Sequence, residues 1–151
     1  MLSEEYIREK IKKFLEAADI PAEIKISSAN ENTFSAALFT EEEAGYLIGK
    51  GGENLDAIEH LIRLVVNKGT EQPARLFVDL NDYKERRAVV LRERARAAAD
   101  KVKAAKTMEI LEPMNSFERR IIHFELAGRG DVMTESVGEE PYRQVVIKPA
   151  L

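Results

Sequence analysis

Apolar positions recur at helical spacing near the start of the chain. Ile7, Ile11, Phe14, Leu15 and Ala18 share one face, Ser3 can cap its start, and Pro21 ends the run. The pattern then changes to alternation. Ile24 and Ile26 alternate with Lys25 and Ser27, and Phe34, Ala36 and Leu38 with Ser35 and Ala37. This predicts two strands, 22–29 and 32–39, joined at Asn30-Glu31-Asn32. Thr40 with Glu43 reads as a capping box opening a short helix that runs into a glycine cluster. Leu55, Ile58, Ile62, Val65 and Val66 then predict a second long helix, stopped at Asn67-Lys68-Gly69. Residues 75–80 read as a third strand.

From Asn81 the period returns to helical. Leu91, Ala95, Ala98, Val102 and Ala105 form a stripe, extended backwards by Tyr83 and Arg87. Its alanines predict close packing, and the helix, 82–105, reads as a connector between two lobes. A short strand at 107–111 follows. Asn115 and Glu118 predict a capped helix through about Leu126, and 131–137 and 142–148 a hairpin turning at Gly138-Glu139-Glu140-Pro141. The order predicts an α+β chain of two domains, 1–81 and 82–151.

Composition narrows the function classes. The 151 residues contain no cysteine, which excludes disulfides and thiolate metal sites. No apolar run is long enough to span a membrane, and the first residues lack a secretory signal, so a cytoplasmic protein without membrane insertion is expected. The net charge of −4 is unevenly spread: residues 75–106 hold ten of the 23 basic residues against five acidic ones. A solvated helix face explains that run as it stands, but charge distribution is also what electrostatic recognition reads.

Two clusters carry candidate chemistry. The first is Ile48-Gly49-Lys50-Gly51-Gly52, between two predicted helices. A P-loop would end in Gly-Lys-Ser/Thr, and here Glu53 stands where the hydroxyl belongs. A dinucleotide fold would need a strand before the glycines. A tight helix–helix turn is the plain alternative. The second is Arg119-Arg120-Ile121-Ile122-His123, in which Arg119 and His123 lie four apart and project on one helical face. Arginine offers a fork for phosphate and histidine a donor and a ring to stack. The two histidines, His60 and His123, lack metal-ligand spacing, and no acid–base pair is placed by sequence. No catalytic residues and no cofactor are expected.

The glycine turn in its helix-strand-strand-helix-helix-strand setting resembles the KH domain in its prokaryotic (type II) arrangement. That implies a three-stranded mixed sheet with helices on one face and a GxxG loop that clamps a single-stranded backbone. Its glycines would let phosphates approach without a Cβ in the way, Lys50 would reach the same phosphates, and bases would lie on the apolar surface between the following helix and strand. The Arg119/His123 pair resembles the signature of the Arg-x-x-x-His single-strand-binding domain. Tyr83-Lys84-Glu85-Arg86-Arg87, Leu111-Glu112-Pro113-Met114 and Ser136-Val137-Gly138-Glu139-Glu140-Pro141 complete a resemblance to the bacterial Jag family across nearly the whole chain. Many members carry a further N-terminal domain, whereas this sequence starts at the KH helix. The resemblance implies a binder of single-stranded RNA, with single-stranded DNA a second ligand class. It implies a post-transcriptional role linked to cell-envelope growth or sporulation. Contact residues would be Ile48, Gly49, Lys50, Gly51, Gly52, Arg119, Arg120 and His123. A protein-interaction adaptor, pairing with another KH domain or with itself through an exposed strand edge, is the alternative.

Overall fold

Ser3 opens the first helix, α1 (Glu4–Ala17), its hydroxyl accepting the Tyr6 N–H at 3.1 Å. Ile7, Ile11 and Leu15, each one turn on from the last, are buried. These observations come from a computed structural model that describes residues 1–42 and 44–151. Two compact units make up the chain, Met1–Lys84 and Glu85–Leu151.

In the first unit β1 (Glu23–Asn30) and β2 (Thr33–Phe39) form an antiparallel hairpin, with Ile24 opposite Leu38 and Ile26 opposite Ala36. The chain then crosses through α2 (Gly45–Ile48), a 3-10 turn at Lys50–Gly52 and α3 (Glu53–Asn67). It returns as β3 (Arg75–Leu80), parallel to β2. A parallel pair requires such a crossover. The sheet order is β1-β2-β3, a mixed sheet. Phe34, Ala36 and Leu38 of β2 and Leu76, Val78 and Leu80 of β3 point into one core with α1 and α3. Lys25, Ser27, Ser35 and Phe77, on the other face, are exposed, as alternation requires of a sheet covered on one side.

Two details here differ from the pattern. The helix expected from Thr40 starts only at Gly45, after Ala44, with no side-chain cap. Thr40 Oγ1 instead accepts the Glu42 N–H, and the Thr40 backbone exchanges two hydrogen bonds with the Asn81 side chain. Glu43, the other half of the expected capping box, lies outside the described residues. Val65, expected on the apolar face of α3, is 37% exposed, because the core is met by Leu55, Ile62 and Val66.

Helix α4 (Tyr83–Ala105) starts at the end of the first unit and in the second buries Ala88, Leu91, Ala95, Ala98, Ala99 and Val102. Ala105, expected on that stripe, is exposed in the last turn. Asn115 caps α5 (Ser116–Leu126), its Oδ1 accepting the Glu118 N–H at 2.9 Å. The short β4 (Glu109–Ile110), β5 (Val132–Val137) and β6 (Gln144–Pro149) form an antiparallel sheet in the order β4-β6-β5. Val145 and Ile147 of β6 and Ile122 of α5 are fully buried between these layers. The hairpin connection spans 138–143, longer than the four-residue turn expected.

Candidate nucleic-acid interfaces

All three glycines of the 49–52 turn have positive φ: +73° at Gly49, +62° at Gly51 and +82° at Gly52. Gly49 combines this with ψ of 177°, a region open essentially to glycine alone. A Cβ there would stand 2.7 Å from Asn54 Cγ, and one on Gly52 would stand 3.0 Å from the Tyr83 ring. One on Gly51 would meet nothing within 4 Å. The protein itself thus gives a reason for two of the glycines besides clearance for a phosphate. At Gly49 and Gly52 a side chain would collide with the protein itself, and only Gly51 faces open space. Asn54 explains the crowding, because its Nδ2 donates to Tyr46 O at 2.7 Å and ties α3 back to α2. Ile48 packs half-buried against the core beneath the turn, and Lys50 is exposed. Gly52 caps α3 without a side-chain hydrogen bond, and the Glu53 N–H at the start of the helix donates to Lys50 O. Glu53 and Asp56 in that turn add negative charge there, which leaves Lys50 as the cation of the loop.

The Arg-x-x-x-His helix is arranged differently. Arg119 is only 6% exposed. Its Nη1 donates to Met114 O and its Nη2 to Glu140 Oε1, both at 2.5 Å. His123 is half-buried, with Nδ1 2.7 Å from Thr134 Oγ1 and Nε2 2.6 Å from Ser136 Oγ. Thr134 and Ser136 alternate on β5 and so face α5 together. Burial, and secondarily the Arg119 charge, hold the His123 pKa below its ordinary value. Both effects favour the neutral ring, in which one nitrogen donates and the other accepts. Arg119 and His123 do come together, but each is spent on the protein's own groups. Arg120, the adjacent residue, is exposed.

Residues 4–78 match the KH domain of KhpA/KhpB, and residues 89–149 match the Arg-x-x-x-His domain. The RNA-binding protein KhpB of Clostridium symbiosum is 46% identical over 106 residues, 70% of this chain and 48% of that protein. Two proteins of the same name follow the pattern. That of Lactiplantibacillus plantarum is 37% identical over 116 residues (77% of this chain, 36% of that protein). That of Bacillus subtilis is 40% identical over 110 residues (72% and 53%). The chain belongs to the Jag (KhpB) family. It spans about half or less of the length of these curated relatives.

One feature of this Jag-family KH unit has no forecast in the residue pattern. The Arg75 N–H turns inward to Asn32 O, so residues 74, 76 and 78 turn their backbone groups to the free edge of β3. Side chains of α3 occupy that edge. Asn67 exchanges two hydrogen bonds with the Ala74 backbone, Arg63 Nη2 donates to Leu76 O, and Glu59 Oε2 accepts the Val78 N–H at 2.8 Å. The spacing matches. Four helical residues rise about 6 Å and two strand residues about 6.6 Å, so steps of four on α3 stay level with steps of two on β3. Arg63 and Lys84 each reach Glu59 at 2.7 Å and neutralise it. The surface between α3 and β3, expected as an apolar bed for bases, is thus crossed by a polar ladder. Its only trace in the sequence is the four-residue spacing of Glu59, Arg63 and Asn67. Similarly, Glu118, read as part of a capping box with Asn115, is buried and takes a 2.8 Å bond from Arg87 Nε. Its spacing with Ile122 and Leu126 was the available signal.

Proposed function

We propose that this chain binds single-stranded RNA, with single-stranded DNA as a second ligand class, through its KH and Arg-x-x-x-His domains, 1–81 and 82–151. One observation carries the reading: the 49–52 turn presents an exposed lysine beside a helix N-terminus that no side chain caps. Such an end, with a cation beside it, suits a phosphate. Ile48, Gly49 and Gly52 hold the turn in shape, while Lys50 and the open side of Gly51 meet the backbone. Base recognition along β3 requires a nucleotide to displace Glu59 and Arg63 from Val78 and Leu76.

In the second domain Arg120 reaches phosphate directly. Arg119 engages it by exchanging the half-exposed Glu140 carboxylate for a phosphate, an anion of the same geometry for a guanidinium. His123 orients β5 against α5. Two weak sites on one chain gain from effective concentration. The role is non-catalytic and cytoplasmic, and the names of the relatives support RNA as ligand. A post-transcriptional role in envelope growth or sporulation follows from the family. Among the described residues no helix is long and apolar enough to cross a membrane. In the adaptor alternative, strand pairing falls to β1, since the β3 edge is occupied and an occupied edge does not accept another strand.

The test is fluorescence anisotropy with a pool of short single-stranded RNAs, comparing the natural chain with Lys50→Asp/Gly51→Asp. Both positions tolerate the change: Lys50 is exposed, a Cβ on Gly51 meets nothing, and aspartate is among the residues that accept positive φ. Affinity falls by about tenfold or more, and steeply with salt in the natural chain. Unchanged affinity removes the loop from the account.

A further inference from the structure

We infer that a second face of α5, turned away from Arg119 and His123, is a stacking platform for unpaired bases; this rests on the reading of the chain as a single-strand binder. Phe117 and Phe124 stand 51% and 83% exposed. They flank a cleft of about 200 Å³ whose other walls are Arg92 of α4 and Arg120 and Ile121 of α5. Successive helical residues turn by about 100°. Phe117, Ile121 and Phe124 therefore share one side, and Arg119 and His123 lie well round the helix from it. Seven residues separate the rings, about 10 Å along the axis, so each ring takes its own base. The cleft is smaller than sites for drug-sized ligands and suits a flat ring.

Charge selects the occupant. Among the described residues most neighbouring charges already have partners. Glu118 is held by Arg87, Glu125 by Arg96, and Glu112 by Arg94. Among the same residues no hydrogen bond or ion pair engages Arg92 or Arg120. The two guanidiniums line the same cleft as the two exposed aromatic rings, with no acid assigned to them. A single strand supplies what both need: phosphates for the guanidiniums and π faces for the rings.

The experiment uses the full chain and two fluorescent probes of about 12 nucleotides, oligoadenylate and an abasic oligomer with the same phosphates, long enough to cover one single-strand site. Phe117→Leu and Phe124→Leu keep the apolar bulk and remove the aromatic face, at exposed positions where folding is not at stake. Each is expected to weaken oligoadenylate binding by about fivefold to tenfold and to leave abasic binding unchanged. Arg120→Ala weakens both. Unchanged oligoadenylate binding by the double leucine variant, with the natural chain binding well, overturns the platform and leaves RNA binding intact. No binding of either probe by the natural chain overturns both. A protein that copurifies after nuclease treatment and is lost in Arg120→Ala but kept in the leucine variants, with oligoadenylate binding unmoved, marks the face as a protein-docking surface instead and overturns the proposal.

Discussion

The glycine turn and the Arg-x-x-x-His helix are both short motifs with a lysine or arginine at their centre, and the fold treats them oppositely. The turn is left open. Lys50 projects into solvent, and the adjoining helix end has no side-chain cap. The helix motif is folded inward. Arg119 spends both guanidinium arms on Met114 O and Glu140, and His123 spends both ring nitrogens on β5. A motif's spacing says which residues share a face; it does not say which way that face looks. In the second domain Arg119 and His123 are turned to the protein's own groups, whereas their neighbours Arg120, Phe117 and Phe124 are exposed.

The largest effect that would break this contrast is on stability. Arg119→Ala removes a buried guanidinium and the partner of the Met114 carbonyl, and should cost about 2–4 kcal/mol in urea denaturation. Arg120→Ala, next to it, should stay within about 0.5 kcal/mol. Equal losses would mean that Arg119 is not structural. The glycine turn offers the next test. Gly49→Ala combines a glycine-only backbone conformation with a collision with Asn54 and should cost about 2–3 kcal/mol. Gly51→Ala meets only the positive-φ penalty, about 1 kcal/mol. Reversal of that order would show that the turn is shaped by something other than the Asn54–Tyr46 tie. The smallest effect concerns pH. The folded-state pKa of His123 is depressed, so the unfolded chain binds the proton more readily. Stability from this group is then full above the unfolded pKa and declines as pH falls from about 6.5 toward the folded value. Thermal melts between about pH 7.5 and 5.5 should show that decline, and His123→Gln should flatten it. An identical slope in the variant would assign the dependence to other groups.

Much of the fold was legible from residue patterns. The stripe Ile7–Ile11–Leu15, the alternation of β2 and the cap at Asn115 each involve neighbours within a few turns or a single strand, and each forms where predicted. The glycine turn was legible too, but not the crowding of Gly49 by Asn54 and of Gly52 by Tyr83. Thr40 departs from its pattern because a Thr-x-x-Glu box competes with a local turn to Glu42 and with long-range bonds to Asn81. Ala105 departs from its own because a stripe continues in sequence after the core it packs on has ended. The ladder from Glu59, Arg63 and Asn67 to β3 left only its spacing in the sequence, and polar residues four apart on a helix ordinarily describe a solvated face.

By itself, then, the sequence determined the order of helices and strands, the place of the sharp turn and the family likeness. Periodicity, capping and positive-φ demands are set by residues close along the chain. Tertiary structure alone decided which arginine is spent and which is offered. Arg119 meets Glu140 across 21 residues, and Glu59 meets Val78 across 19. A buried donor or acceptor must find a partner wherever the fold brings one, and no local pattern encodes that meeting.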